Sequence, residues 1–227
     1  MWLLGIAGLF GYHFFYFVAM RRAPVVEASL IAYLWPLLIV LLSSLLLGEK
    51  LRWYHVVVAL SGFVGAGLLI AGGGGVDFEW RYAPGYLAAL VCALTWSTYS
   101  VLSRKWGAFP TTSVAGFCLA TAALAWICHA LLEETTWPIG WQWGAVLALG
   151  LGPVGLAFFV WDWGVKRGSI QALGTISYLA PLLSTVLLIL AGRAEPSLSL
   201  GVAFTLIVGG GVLASRDIFR RDPATDS

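Results

Sequence analysis

The chain has 227 residues, 60% of them hydrophobic and 11% charged, with a formal net charge of +2 and a mean hydropathy of +0.89. Soluble domains run at about 45–50% apolar and about 25% charged residues, and a globule could not hide so large an apolar excess. These figures exclude a soluble fold, disorder, collagen and a disulfide scaffold, and they specify an all-α, polytopic membrane protein.

Eight apolar runs are each long enough to cross the bilayer as a helix: 2–20, 25–47, 54–72, 85–103, 112–132, 143–164, 170–191 and 198–215. They are continuous rather than alternating, which indicates helices and not barrel strands. The first run has no basic leader and no small-residue cleavage site, so it reads as a span and not a signal peptide. Short polar breaks separate the runs, including Arg21-Arg22-Ala23-Pro24, Gly48-Glu49-Lys50, Arg104-Lys105, Lys166-Arg167-Gly168 and Gly192-Arg193. The tract Gly72 to Gly75 reads as a span end with a hinge. The segment from Arg216 reads as a polar tail.

Lysine and arginine placement orients the spans. One side carries nine (Lys50, Arg52, Arg104, Lys105, Lys166, Arg167, Arg216, Arg220, Arg221) and the other four (Arg21, Arg22, Arg81, Arg193). Both termini are therefore expected in the cytoplasm, with the protein in the plasma (inner) membrane.

Charge inside lipid is costly, so each intramembrane ionisable residue marks a candidate site. His13 could titrate near neutral pH, or sit neutral against a backbone carbonyl. Glu27 falls in the first helical turn after Pro24, where a carboxylate offsets the helix dipole. It could equally serve as a proton or ammonium site. Asp162 either lines a pathway or pairs with Lys166 at i,i+4. His129 lies near a span end and reads as interfacial. Cys92, Cys118 and Cys128 lie in apolar runs without metal spacing and read as small buried hydrophobes.

Two faces carry the aromatic candidates. Ser29, Tyr33, Pro36, Val40 and Ser43 share one helix face, as do Gly174, Tyr178, Pro181 and Thr185. Pro36 and Pro181 are expected helix kinks. Cys92, Trp96, Tyr99 and Ser103 form a stripe whose opposite face is alanine and leucine. Indole and phenol groups suit a flat or amphipathic solute. Packing within the bundle is the competing explanation for both faces. Small residues at four-residue spacing (Gly140, Gly144, Ala148, Gly152; Gly201, Thr205, Gly209) are expected at close helix contacts. They are compatible with a homodimer.

The chain also matches itself at an offset of 145. Met20 through Leu38 aligns with Val165 through Leu183, pairing Tyr33 with Tyr178 and Pro36 with Pro181; before it Phe14 pairs with Phe159, and one inserted residue later Gly65 pairs with Gly211. Spans one to three thus repeat as spans six to eight. Equivalent spans are five apart, an odd number, so the second copy runs the opposite way through the membrane. Inverted repeats of this kind carry substrate sites at their interface in secondary transporters. The expected units are residues 1–75, an incomplete first repeat of three spans, 84–215, a second repeat of five, and a polar tail, 216–227. The imbalance suggests a late start, by truncation or a misplaced start codon, or else a protein that works with a reduced first half.

The run Glu27 to Pro36 followed by Gly48-Glu49-Lys50, and Gly168 to Pro181 followed by Glu195, resembles the EamA repeat of the drug/metabolite transporter superfamily. Within it, the Tyr33-Leu34-Trp35-Pro36 run, Ala93 to Tyr99 with Arg104-Lys105, and Trp161-Asp162-Trp163-Gly164 look like the aromatic amino acid exporter branch. Members have ten helices, so the resemblance sets this chain against helices three to ten. It implies a transporter that exports aromatic or other neutral amino acids. Tyr33, Trp35, Trp96, Tyr99, Trp161 and Tyr178 are the candidate substrate-binding residues. Glu27, Asp162 and His13 are candidate proton or charge sites. No metalloprotease, hydrolase or Walker motif is present, so an enzyme, a metal and a cofactor are not expected. Nucleic acid is not an expected partner either. The competing reading is a non-transporting scaffold or an inactive truncated fragment.

Overall fold

The computed structural model describes residues 1–71, 76–193 and 195–219, with side chains to residue 210. Among the described residues there is helix and no strand. Seven helical stretches are long and apolar enough to cross a membrane: Trp2–Arg22, Val25–Leu47, Trp53–Ala71, Trp80–Lys105, Ser113–Leu132, Gln142–Arg167 and Ile170–Leu190. A shorter apolar stretch, Leu198–Gly210, follows.

Local chemistry sets the helix ends. Helix α1 (Trp2–Arg22) stops at Ala23, whose φ of −144° and ψ of 159° are the extended values forced on a residue before proline. Pro24 then opens α2 (Val25–Ala32), which breaks at Tyr33–Leu34. It resumes as α3 (Trp35–Leu47), with Pro36 in the first turn, where a missing N–H costs least. Gly48 ends α3 in the left-handed conformation, φ 69°. Helix α4 (Trp53–Ala71) follows, then α5 (Ala83–Lys105), α6 (Ser113–Leu132) and α7 (Gln142–Leu149). A π-helical stretch at Gly150–Leu156 absorbs Pro153 before α8 (Ala157–Arg167). Helix α9 (Ile170–Ile176) breaks at Ser177–Tyr178 and resumes as α10 (Leu179–Leu190). Helix α11 (Leu198–Phe219) completes the bundle.

The run 25–47 is therefore two helices, and so is 170–191; the breaks fall at matching places, one turn before Pro36 and Pro181. The seventh and eighth elements together lengthen the run expected at 143–164 to Gln142–Arg167. Residues 216–219, expected in the tail, are helical. Gly72 to Gly75 and residues 220–227, with Arg220 and Arg221, lie outside the described residues.

Helix α5 is the central post. It packs on α1, α2, α3 and α8 and buries Ala88, Ala89, Cys92, Ala93, Trp96, Ser97, Tyr99, Ser100, Val101 and Ser103. Its serines cause no polar deficit: Ser97 and Ser100 donate back to the Ala93 and Trp96 carbonyls at 2.8 Å each.

The glycine expectation needs correction. At Gly144, Gly152, Gly201 and Gly209 an added Cβ would meet nothing within 4 Å, and at Gly140 likewise, so these residues pack no helix within the described chain. The close approaches occur elsewhere. A Cβ on Gly5 would strike the Phe117 ring at 2.5 Å, one on Gly8 the Tyr99 ring at 2.5 Å, and one on Gly174 would lie 3.0 Å from the Pro36 carbonyl. Lipid and protein interior are both apolar, so spacing alone does not say which small residues face a neighbour.

Overpacking a filled core costs about 1–3 kcal/mol. Gly8→Leu is expected to lower the midpoint of thermal unfolding in detergent by several degrees, whereas Gly201→Leu leaves it within a degree; tryptophan fluorescence on heating measures both.

Candidate functional site

The bundle has two distinguishable ends. At one, Met1 lies against the link from Lys105 to Phe109. At the other, the end of α1 meets the end of α6 through an Arg21–Glu133 ion pair. There the Glu133 carboxyl is held below the usual carboxylate range, first by its hydrogen bond from His129 and then by Arg21. His129 contacts Glu133 at 2.7 Å and Thr135 at 3.0 Å, so it caps a helix end rather than entering the interior.

Between the ends, aromatic rings from α1, α3, α5 and α8 converge on Trp96. Ring centroids of Tyr12, Tyr99, Phe158, Trp161 and Trp35 lie 5.3, 5.4, 5.5, 5.8 and 6.4 Å from it. Trp35 and Trp161 meet edge to face at 5.4 Å, and Tyr16 stacks on Tyr12 at 6.1 Å. These separations are those of favourable aromatic pairs. Trp96 and Tyr99 are buried, while Tyr12, Tyr16, Trp35, Phe158 and Trp161 are half-buried, so the cluster has a closed base and an accessible rim. The Trp161 indole N–H donates to Ser100 Oγ at 3.0 Å, which fixes that ring against α5.

The structure thus brings together Trp35, Trp96, Tyr99 and Trp161. It does not bring Tyr178 to them. That side chain is fully buried in a separate cluster with Ala66, Leu182 and Ile207, and its hydroxyl donates to the Tyr33 carbonyl at 3.4 Å. It closes a helix break instead of facing the rings. Tyr33 is half-buried and flanks the same separate cluster. Pro36 is buried, and Gly174 sits against its carbonyl.

The charged candidates divide. His13 Nδ1 is 2.7 Å from the Leu9 carbonyl, and the ring lies edge-on to Phe158 at 5.7 Å. Glu27 is buried in the first turn of α2, where one oxygen accepts from the Asp77 N–H at 3.2 Å and the other has no hydrogen-bond partner among the described residues. Asp162 is buried, with Oδ2 2.7 Å from Lys166 Nζ and Oδ1 accepting from Ser103 Oγ at 3.0 Å. A cavity of about 620 Å³ lies between α1, α6 and the α7–α8 segment and shares His13 and Phe158 with the cluster's edge. None of the six aromatic candidates lines it. Among the described residues no cluster of His, Cys, Asp or Glu has metal-binding geometry.

Tyr12, Tyr16, Phe158 and Ser100 were not among the residues singled out from the sequence. The i,i+4 spacing of Tyr12 and Tyr16 is readable, but α1 is apolar all round and offers no polar face to single out that pair.

The bundle of membrane-crossing helices around an aromatic cluster is that of a membrane transporter, an integral membrane protein. More narrowly, residues 1–71 and 83–216 match the EamA-like transporter family, and the chain belongs to it. It is 57% identical over 216 residues, 95% of this chain and 75% of the relative, to a protein of Ancylobacter novellus named aromatic amino acid exporter YddG. A protein of the same name from Escherichia coli K12 is 25% identical over 83% of this chain and 66% of its own length. A solved crystal structure at 57% identity superposes with a TM-score of 0.91, covering 94% of this chain and 76% of that one.

Removing the hub of the cluster is expected to cost more than loosening its rim. Trp96→Ala should destabilise by about 3–5 kcal/mol, and Trp161→Phe, which keeps a ring but loses the Ser100 bond, by about 1 kcal/mol; thermal unfolding of the two variants beside the parent tests the ranking.

Proposed function

We propose that the chain exports aromatic or other neutral amino acids across the inner membrane by alternating access, with the rim of Trp35 and Trp161 over the Trp96 hub as the substrate face. The observation that carries this is the half-buried aromatic cluster deep in the bundle, flanked by Tyr12, Tyr16 and Tyr99. Indole and phenol rings give a planar side chain large apolar contact at little entropic cost, and they leave N–H and O–H groups for its polar end. The names of the relatives point to the same substrate class.

The second support is symmetry. Tyr33 and Tyr178, equivalent at the offset of 145, touch each other: the Tyr178 hydroxyl reaches the Tyr33 carbonyl at 3.4 Å. Contact between equivalent residues is what a two-fold axis through an interface produces. Two inverted halves can then exchange outward-open and inward-open shapes at similar energy. The units are 1–75 and 84–215, and the lysine and arginine asymmetry puts the Met1 end in the cytoplasm.

Reconstituted vesicles loaded with labelled L-phenylalanine or L-tryptophan test the reading. Trp35→Ala and Trp161→Ala are each expected to lower efflux about tenfold, equal to about 1.4 kcal/mol, with the protein still in the membrane. Efflux at the level of empty vesicles for the parent would favour a non-transporting scaffold. Efflux unchanged in both variants would remove these rings from the site.

A further inference from the structure

Below the aromatic cluster, toward the Met1 end, the bundle is shut in two layers. The first is an apolar plug of Ile39, Val101, Val165 and Ile170, all fully buried, packed under Trp35 and Trp161. The second is polar. Ser103 of α5 donates to Asp162 of α8 at 3.0 Å. Lys166 holds Asp162 at 2.7 Å and also donates to the Phe109 carbonyl, in the α5–α6 link, at 3.0 Å. Arg104 of α5 donates to the Val165 and Gly168 carbonyls at the end of α8 at 2.8 and 2.5 Å, and its Nε lies 3.2 Å from Glu49, just beyond α3. The whole network joins α5, the α5–α6 link, α8 and the α3–α4 link.

The opposite end has no counterpart in the same positions. At the offset of 145, Lys166 corresponds to Arg21, whose side chain is 60% exposed, and Asp162 corresponds to Phe17, which is 59% exposed. A buried carboxylate at one end is matched at the other by a phenyl ring that, with Arg21, lines the cavity between α1, α6 and the α7–α8 segment.

We infer that Ser103, Arg104, Asp162 and Lys166 form a one-sided latch that holds the Met1 mouth shut and makes the two mouths unequal. The inference rests on the transport reading above and adds which mouth is barred, and by what. Separating α5 from α8 breaks the Ser103–Asp162, Arg104–carbonyl and Lys166–Phe109 bonds. It leaves Asp162 and Lys166 together, because both ride on α8 one turn apart. A buried charge stripped of its partner is severely unfavourable, whereas a pair that moves as a unit gives up only hydrogen bonds, each of modest net worth. The latch is therefore firm enough to set the resting state and weak enough to open. It also sits one turn from the substrate face: Trp161 precedes Asp162 in the chain and bonds Ser100, one turn before Ser103. A ligand that shifts the Trp161 ring moves the residue next to the latch.

The test needs no substrate, so its failure is separable from failure of the transport reading. Cys92, Cys118 and Cys128 are replaced, and a single reporter is placed in the plug as Val101→Cys, with a second version carrying Ile207→Cys, buried in the distant cluster with Tyr178. The rate of modification by a water-soluble maleimide is read in lipid nanodiscs. Ser103→Ala and Arg104→Gln are each expected to speed labelling at position 101 at least fivefold, with no change at 207, and Ser103→Thr to restore the parent rate. Rates at 101 within twofold of the parent for both variants would overturn the latch. So would equal acceleration at 101 and 207, which would mean general loosening, as would failure of threonine to restore protection.

Discussion

A peptide group in hydrocarbon has no water to bond, so a helix that breaks inside a membrane must break against protein. This chain breaks twice, at Tyr33–Leu34 and at Ser177–Tyr178, in each case just ahead of a proline. Each break is packed on the other half. Gly174 lets α9 close on the Pro36 carbonyl, and the Tyr178 hydroxyl reaches the Tyr33 carbonyl. The packing of α3 on α9 around these breaks fixes where Trp35 points, and with it the aromatic cluster.

From that crossing the rest follows in order. Trp35 enters from the start of α3 and meets Trp96 on the central post and Trp161 on α8. Ser97 and Ser100 of α5 bond back to their own helix, and Ser100 and Ser103 also meet α8. The ring layer, the apolar plug and the polar network then stack along one axis toward the Met1 end.

Much of this was legible in the sequence. The apolar runs locate the helices to within a few residues, because lipid demands a minimum length. The stripe of Trp96, Tyr99 and Ser103 is buried as a face, and Asp162 pairs with Lys166 at the spacing that a helix dictates. Other features were not legible, for physical reasons. Helix α1 is apolar on every side, so nothing marked Tyr12 and Tyr16 as inward. The Ser103–Asp162 bond joins residues 59 apart and depends on how two helices lean. Gly140, Gly144 and Gly152 have the spacing of packing glycines but face no helix among the described residues, while Gly8, which receives Tyr99, has no small residue four positions away. Tyr178, the repeat mate of Tyr33, lies outside the aromatic cluster with its hydroxyl against the Tyr33 carbonyl, a placement set by how two helices cross.

The central claim is that two copies of one unit cross the membrane in opposite senses and enclose the aromatic cluster between them. The most direct measurement is the sidedness of two single-cysteine variants, Lys50→Cys and Arg193→Cys, read with an impermeant thiol reagent on right-side-out and inverted vesicles. Position 50 should label only from the cytoplasmic face and position 193 only from the opposite one. Labelling of both from the same face would contradict the antiparallel arrangement and everything built on it.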